Sequence, residues 1–179
     1  MAQPPSRADS GGARLVALSD THFPRRAKDL PAPLWAAIDA ADVVVHAGDW
    51  CTADLLDSLE ARVAGRGGVL LGVAGNNDGP DLWARLPEVA RAEIAGVRIA
   101  VVHETGQATG REARCARTYP DTDVLFFGHS HIPWDTTADS GLRLLNPGSP
   151  TDKRRQPHHT YLTAEIRAGT LHDVVLHRL

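Results

Sequence analysis

The residues with the clearest chemical potential in this 179-residue chain are histidines, aspartates and one asparagine that lie in short polar clusters beside glycines. They offer imidazole, carboxylate and amide ligands, a mixed nitrogen and oxygen set that suits Zn, Mn, Fe or Ni. The seven candidate metal ligands are Asp20, His22, Asp49, Asn76, His103, His129 and His131. Two divalent cations roughly 3.5–4 Å apart need a ligand that bridges them. We expect Asp49 to be that bridge, because a carboxylate has two oxygens.

The spacing of the candidates favours a common site. In Asp20-x-His22 and His129-x-His131, alternate residues of an extended segment would point the same way and address one metal cluster. Taken alone, the first pair is more typical of a turn, and the second pair could be core histidines. The presence of all the clusters favours ligation. The glycines that would let the backbone turn tightly there are Gly48, Gly75 and Gly128.

The clusters follow short apolar runs that predict buried β-strands. These runs are Leu15–Leu18, Val43–Val45, Val69–Val73, Val97–Val102, Val124–Phe127 and Leu142–Leu145. Helix-like stretches lie at Pro33–Ala41, Ala53–Val63, Asp81–Leu86 and Gln107–Tyr119. Because strand and helix alternate, the sequence predicts an α/β architecture. Strand ends in such a fold converge on one edge, where ligands usually bind.

The pattern changes from Leu142 onward to the partial alternation that is typical of antiparallel strands. Segments 160–166 and 170–176 are predicted to be two such strands, joined by a hairpin turn at 168–170. We therefore predict a four-layer α/β/β/α sandwich of two mixed β-sheets flanked by helices. Residues 13–179 are expected to form a single domain. Residues 1–12, rich in Pro, Gly and Ser, are expected to be a flexible N-terminal tail.

Composition narrows the class of protein. The chain is 42% hydrophobic and 23% charged with a net charge of -3, which favours neither disorder nor a nucleic-acid-binding surface. Cys51 and Cys115 lack the spacing of a disulfide framework. The first residues lack the apolar region of a signal peptide, and no apolar run approaches the roughly 20 residues that span a bilayer. We expect a cytoplasmic protein without membrane contact.

The ordered clusters resemble the calcineurin-like metallophosphoesterases, and within them the small YfcE-type phosphodiesterases. The motifs of that family are DxH, GD, GNxD, H and GHxH. They match Asp20/His22, Gly48/Asp49, Gly75/Asn76/Asp78, His103 and Gly128/His129/His131, and the NPGS of the subgroup stands at Asn146–Ser149. The resemblance runs from about Leu15 to Ser149. It implies the same four-layer sandwich and suggests homo-oligomers.

The resemblance also implies how the ligands are divided. One metal would be held by Asp20, His22, Asp49 and His131, and the other by Asp49, Asn76, His103 and His129. Such a centre would carry net positive charge and attract a phosphate ester. Metal binding lowers the pKa of water from about 15.7 to roughly 7, so a hydroxide bridging the two ions could attack phosphorus in line. Of the ligands, Asp49, Asn76 and His103 are the expected catalytic residues, the last two near the developing oxyanion.

Two departures from the family pattern bear on the substrate. Related phosphomonoesterases follow the metal-binding Asn with a His that can protonate the leaving group, whereas this chain has Asn77, which cannot. We therefore expect a small phosphate-ester substrate, a diester in preference to a monoester, with a phosphomonoesterase as the alternative within enzymes. The family often has Gly-His after the His that matches His103, whereas Glu104 and Thr105 stand here. The second His is therefore absent, which argues against a substrate role for this loop.

Neighbouring polar residues have simpler interpretations. His46 is expected to be a buried, hydrogen-bonded imidazole and not a ligand. Asp78 could orient a metal ligand or cap the helix that follows, and Asn77 is a further candidate for contact with a ligand or the substrate. Residues 146–149 are expected to form a structural turn. The basic segment 153–159 could attract substrate, although a solvated loop is the simpler interpretation.

The alternative to an enzyme is a metal-binding scaffold or protein-interaction module on the same fold. The retromer subunit that resembles this family is such a case, and it has lost metal ligands. Here all seven ligand positions hold competent residues, which favours the hydrolase.

Overall fold

The computed structural model describes residues 12–179. The predicted tail therefore lies almost wholly outside the described residues. Ten strands and four helices follow in the order β1 (Ala13–Leu18), α1 (Ala32–Ala40), β2 (Val43–His46), α2 (Ala53–Ala64), β3 (Val69–Gly72), α3 (Pro80–Trp83), β4 (Val89–Ile94), β5 (Val97–Val102), α4 (Arg111–Thr118), β6 (Val124–Phe126), β7 (Trp134–Thr137), β8 (Arg143–Asn146), β9 (Thr160–Arg167) and β10 (Thr170–Arg178).

The strands form two mixed sheets of five. The first sheet has the order β10-β9-β1-β2-β3, in which β1, β2 and β3 are parallel and β9 and β10 run antiparallel. The second has the order β4-β5-β6-β8-β7, in which β5, β6 and β8 are parallel and the edge strands β4 and β7 are antiparallel to their neighbours. The parallel strands carry the candidate ligands in the loops after their carboxyl ends.

Three apolar clusters separate the layers. The largest lies between the sheets and takes residues such as Val45 and Phe126 from both. A second packs Leu34, Ile38 and Leu56 of α1 and α2 against the outer face of the first sheet. A third places α4 on the outer face of the second sheet. The predicted four-layer α/β/β/α sandwich is confirmed.

Two strands and one pairing differ from the sequence prediction. The edge strands β4 and β7 were not predicted, because VARAEI and WDTT are half-buried and carry no continuous apolar run. Strand β8 was expected to be antiparallel, but it pairs parallel with β6 as well as antiparallel with β7. Helix α4 begins later than expected, at Arg111, because Gly110 before it adopts a left-handed φ of 69°.

The predicted turn between the last two strands is present. Ala168 and Gly169 both have positive φ, at 48° and 72°, as a two-residue turn between right-twisted strands requires. Within residues 12–179, none of the helices has the length and apolar character needed to cross a membrane.

Candidate metal centre

The loops that follow five parallel strands meet at the edge where the carboxyl ends of these strands, from both sheets, lie close together. Asp20 and His22 follow β1, Asp49 follows β2 and Asn76 follows β3, all in the first sheet. The second sheet contributes His103 after β5, and His129 and His131 after β6. Contacts between these side chains link all seven predicted ligands into one cluster.

Three of the ligands form what we call the buried half of the cluster: Asp20, His22 and His131. His22 Nε2 lies 3.2 Å from His131 Nε2, and His131 Nε2 lies 3.4 Å from Asp20 Oδ1. All three residues are buried. Their ligand atoms lie within 4.8 Å of one another, close enough to surround one ion.

The other three form what we call the open half: Asn76, His103 and His129. Asn76 Oδ1 lies 2.9 Å from His103 Nε2 and 2.9 Å from His129 Nδ1. His103 is buried, but His129 is half-buried and Asn76 is exposed. This half therefore faces solvent, where a substrate can approach it.

Asp49 lies between the halves. Its Oδ2 is 3.7 Å from His22 Nε2 and its Oδ1 is 3.4 Å from His103 Nε2, so each oxygen faces a different half. Asp20 is also within 4.8 Å reach of both Asp49 and His103. Two carboxylates, rather than Asp49 alone, thus lie where the halves meet.

The hydrogen-bond partners of the histidine rings show whether the cluster fits a metal. His103 Nδ1 pairs with the carbonyl of Ala47 at 2.7 Å, and His131 Nδ1 pairs with the carbonyl of Asp152. Because a carbonyl only accepts, each Nδ1 carries the proton when the ring is neutral, and each Nε2 then turns a lone pair toward the cluster. In the buried half this lone pair faces a second imidazole nitrogen and a carboxylate oxygen, an arrangement that a cation satisfies.

Burial dominates the electrostatics of the buried half. It raises the pKa of Asp20 to about 7, although the charge of His103 and the hydroxyl of Ser19, which donates to Oδ2 at 2.7 Å, act in the opposite direction. Burial also lowers the pKa of His131 to about 4 and lowers that of His22. Both imidazoles are therefore neutral near pH 7, which is the form that binds metals.

The pKa values of Asp49 and His103 shift in the directions opposite to those of the carboxyl and the imidazoles of the buried half. Burial alone would raise the pKa of Asp49, but hydrogen bonds from His103 and Asn77 outweigh it and hold that pKa well below its usual range. Burial alone would lower the pKa of His103, but the hydrogen bond and charge of Asp49 and the charge of Asp20 raise it. Asn77 donates its backbone N–H to Asp49 Oδ1 at 2.8 Å and its side-chain amide to Oδ2 at 2.7 Å. Asn77 thus fixes the orientation of Asp49.

The backbone of the ligand loops departs from the extended conformation that the alternation argument assumed. Asp20, His22, Asp49, His129 and His131 have positive φ angles of 54°, 45°, 62°, 67° and 59°. The DxH and HxH pairs therefore converge through tight left-handed loops, and the argument from strand alternation was wrong. Such angles are uncommon outside glycine and concentrate at functional sites.

Two glycines permit the close approach of these loops. A Cβ on Gly75 would overlap the backbone and carboxylate of Asp49, and one on Gly128 would overlap the Ser19 hydroxyl. Glycine is thus required at both positions because neighbouring segments of the same chain occupy the space that a side chain would need.

Asp78 and His46 are not candidate ligands, but they contact the loops that carry the candidate ligands. Asp78 accepts from the N–H of Cys51 and the N–H of Gly75, both at 2.7 Å, so it ties two ligand loops together, and no side chain caps α3. His46 is fully buried, contacts the Thr21 hydroxyl at 3.1 Å through Nε2 and stacks on Trp50. His46 is thus a satisfied core histidine, as predicted.

The segment after β8 reaches the cluster in a way that the motifs do not show. Asn146 donates to the carbonyl of Gly128 at 2.8 Å, and Ser149 donates to the carbonyl of Asp20 at 2.8 Å, so the predicted NPGS turn is a structural brace. Arg154 lies 3.5 Å from the carbonyl of His129 through Nη1. Its charge partly opposes the burial that raises the pKa of Asp20, and it adds to the burial that lowers the pKa of His22 and His131. The basic run at 153–155 was the only sequence signal of this residue.

Comparison with known proteins supports the same family. Residues 14–169 match the family described as the calcineurin-like phosphoesterase superfamily domain. A protein of Methanocaldococcus jannaschii named "Probable metallophosphoesterase" is 33% identical over 149 residues, which cover 80% of this chain and 72% of that protein. A Thermotoga maritima protein solved by NMR is 30% identical, with a TM-score of 0.71 and coverage of 93% of this chain and 99% of its own.

A more distant likeness extends only to the fold. Vps29 of Entamoeba histolytica, solved in complex with zinc, is 21% identical, with a TM-score of 0.72 and coverage of 93% of this chain and 98% of that one. The family match spans most of the chain, and the ordered motifs and the two-sheet sandwich agree with it. The chain therefore belongs to the calcineurin-like phosphoesterase superfamily.

Proposed function

We propose that this protein is a metal-dependent phosphodiesterase that holds two divalent cations, of Mn, Zn, Fe or Ni, and hydrolyses small phosphate diesters. The observation that carries this proposal is the position of Asp49, whose two oxygens face two groups of nitrogen and oxygen ligands. The buried half with Asp49 would hold one ion, and the open half with Asp49 would hold the other. When bound, the ions would neutralise phosphate charge and lower the pKa of the attacking water.

The chain's own residues supply orientation and charge. Asn77 holds both oxygens of Asp49 in place, and the carbonyls of Ala47 and Asp152 fix the rings of His103 and His131. The partners behind a metal ligand set its direction and basicity. The exposed Arg154 stands beside the cluster, where its guanidinium can pair with the non-bridging oxygens of a phosphate. Asn76 and His103, at the solvent side, would stabilise charge that develops on those oxygens.

The choice of a diester rests on the residue after Asn76. Asn77 cannot donate a proton to a departing alkoxide, and its amide is already engaged with Asp49. A substrate must therefore carry a leaving group that needs little protonation. Comparing bis(p-nitrophenyl) phosphate with p-nitrophenyl phosphate, which share a leaving group, tests the preference for a diester, and faster cleavage of the monoester would contradict it.

The proposed activity is tested by hydrolysis of bis(p-nitrophenyl) phosphate with added Mn²⁺. We expect Asp49→Asn to lower kcat/KM by about 10³-fold, since it weakens the ligand shared by both ions. Asp121→Asn is the control, because Asp121 is an exposed aspartate that precedes β6, at the end opposite His129. Equal rates in Asp49→Asn and the parent, with both folded by circular dichroism, would reject the catalytic proposal.

The second candidate is a metal-binding scaffold on the same fold, because this fold also occurs in a protein named for vacuolar protein sorting, Vps29, and so is not confined to proteins named as phosphoesterases. Metal uptake does not separate the two functions, because the Entamoeba histolytica protein was itself solved with zinc. Hydrolysis does. A protein that binds Mn²⁺ tightly but cleaves neither ester would be the scaffold, whereas loss of turnover in Asp49→Asn identifies the enzyme.

A further inference from the structure

A cavity of about 170 Å³ adjoins the open half of the metal centre. Asn76 and His103 are among its lining residues, so the cavity is continuous with the proposed site. Pockets for whole drug-sized ligands are roughly 300–1,000 Å³. The cavity is thus of a size to receive one substituent of a substrate while the phosphate lies at the metal centre.

Part of the cavity lining is apolar. Ala74 follows β3, and Val89 and Val102 are paired residues at the start of β4 and the end of β5. The unpredicted edge strand β4 therefore builds part of this cavity. An apolar lining favours an uncharged group over a strongly hydrated one.

Two aromatic side chains also line the cavity. Trp83, at the end of α3, is 45% exposed and belongs to none of the apolar clusters of the described residues. Tyr119 is half-buried, and the guanidinium of Arg91 lies 5.3 Å from its ring centroid. An exposed indole beside a cavity offers a face on which an aromatic ring can stack.

Two carboxylates complete the lining. Glu88 precedes β4 and Glu104 follows His103 directly, and both are exposed. Within residues 12–179, neither forms an ion pair. Carboxylates accept hydrogen bonds from N–H and O–H groups and repel anions. This lining therefore selects against a second phosphate and for a group with hydrogen-bond donors.

We propose that this cavity binds the nucleoside part of a nucleoside phosphodiester, with the base stacked on Trp83 and its amino or hydroxyl groups bonded to Glu88 and Glu104. This proposal rests on the proposed function for its phosphate site and narrows the substrate class. The acidic lining disfavours the phosphate and leaves the cavity to the neutral nucleoside, and Arg154, which lies beside His129, attracts the phosphate.

The kinetic test uses two esters with the same leaving group, thymidine 5′-(p-nitrophenyl phosphate) and methyl p-nitrophenyl phosphate, with Mn²⁺. We expect Trp83→Ala to lower kcat/KM for the thymidine ester by roughly 10-fold, the effect of one lost base–aromatic stack, and to leave the methyl ester unchanged. Trp83→Phe should retain the preference. Equal effects of Trp83→Ala on both esters, or no effect on either, would overturn the proposal.

A binding test separates this proposal from the proposed function. Adenosine, which has no phosphate, is titrated into the protein while the indole N–H signals are followed by NMR. We expect the Trp83 signal to shift and the Glu88→Gln/Glu104→Gln variant to bind about 3-fold more weakly, with Glu93→Gln as the unchanged control. If neither ester is cleaved but Trp83 still shifts, the phosphodiesterase fails and the nucleoside site stands. Absence of any Trp83 shift overturns the nucleoside site whatever the esters do.

Discussion

The two halves of the ligand cluster are built from similar residues but differ in their access to water. In the buried half, Asp20 and His131 are almost fully enclosed, and burial governs the pKa of both. In the open half, Asn76 is exposed and His129 half-buried, and a cavity leads away from it. The same ligand chemistry thus occurs in a low-dielectric setting and in a wet one.

We expect this difference in access to water to separate two roles, retention of a cation in the buried half and contact with a substrate at the open half. A cation among buried ligands interacts more strongly with them and has few waters to replace a lost one. A cation at the open half keeps positions for water or a phosphate oxygen, as catalytic metal sites require. We therefore expect the buried half to hold its ion more tightly.

The largest expected effect comes from removing one imidazole from each half. His131→Ala should weaken Mn²⁺ binding at the tighter site by at least about 100-fold, the upper range for loss of a mere supporting group. His129→Ala should weaken Mn²⁺ binding at the open half by no more than about 10-fold, because water can take the place of a half-buried ligand. Calorimetric titration measures both, with the metal-free melting temperature as the check on folding. Equal losses in the two variants would erase the distinction between the halves.

A second prediction uses pH to sharpen the comparison. Metal-free Asp20, with a pKa of about 7, must lose its proton before it can bind a cation. His131, with a pKa of about 4, is already neutral above pH 5. Apparent Mn²⁺ affinity should therefore fall about 10-fold per unit as pH drops below 7 and level off above it.

His103 titrates in the same direction, because its pKa is raised and it too must be neutral to bind. Its proton adds to the pH dependence set by Asp20 and can extend that dependence to higher pH. The measurement is calorimetry between pH 5.5 and 8. An affinity that does not change below pH 7 would show that Asp20 is ionised without metal.

The smallest expected effect concerns Arg154, which faces the cluster from solvent. Arg154→Ala should raise KM for bis(p-nitrophenyl) phosphate about 3- to 10-fold with little change in kcat, since an exposed charge mainly aids binding and is screened by salt. Arg155→Ala is the matched control, because Arg155 is an exposed neighbour of equal charge that is not among the groups that chiefly shift the pKa of Asp20, His22 or His131. An equal change in both variants would mean that only the net charge of the loop matters.

Much of the fold could be predicted from local pattern. The continuous apolar runs of β1, β2, β5 and β6 identified buried strands because strands covered on both faces need apolar residues at every position. The edge strands β4 and β7 were not predicted, because each has exposed residues and a sequence that mixes apolar and polar side chains. The pairing of β8 with two neighbours of opposite direction is a property of the sheet and leaves no mark on its own four residues.

The sequence alone determined which residues are chemically competent, because metal ligation needs particular side chains and the clusters of aspartate, asparagine and histidine stand in a recognisable order. Only the tertiary structure decided how they meet: through left-handed loops, with Asn77 clamping Asp49, Asp152 orienting His131 and Arg154 brought from beyond the last motif. It also decided that one half is buried and the other opens on Trp83. Burial and proximity arise from the packing of two sheets, and no local run of residues encodes them.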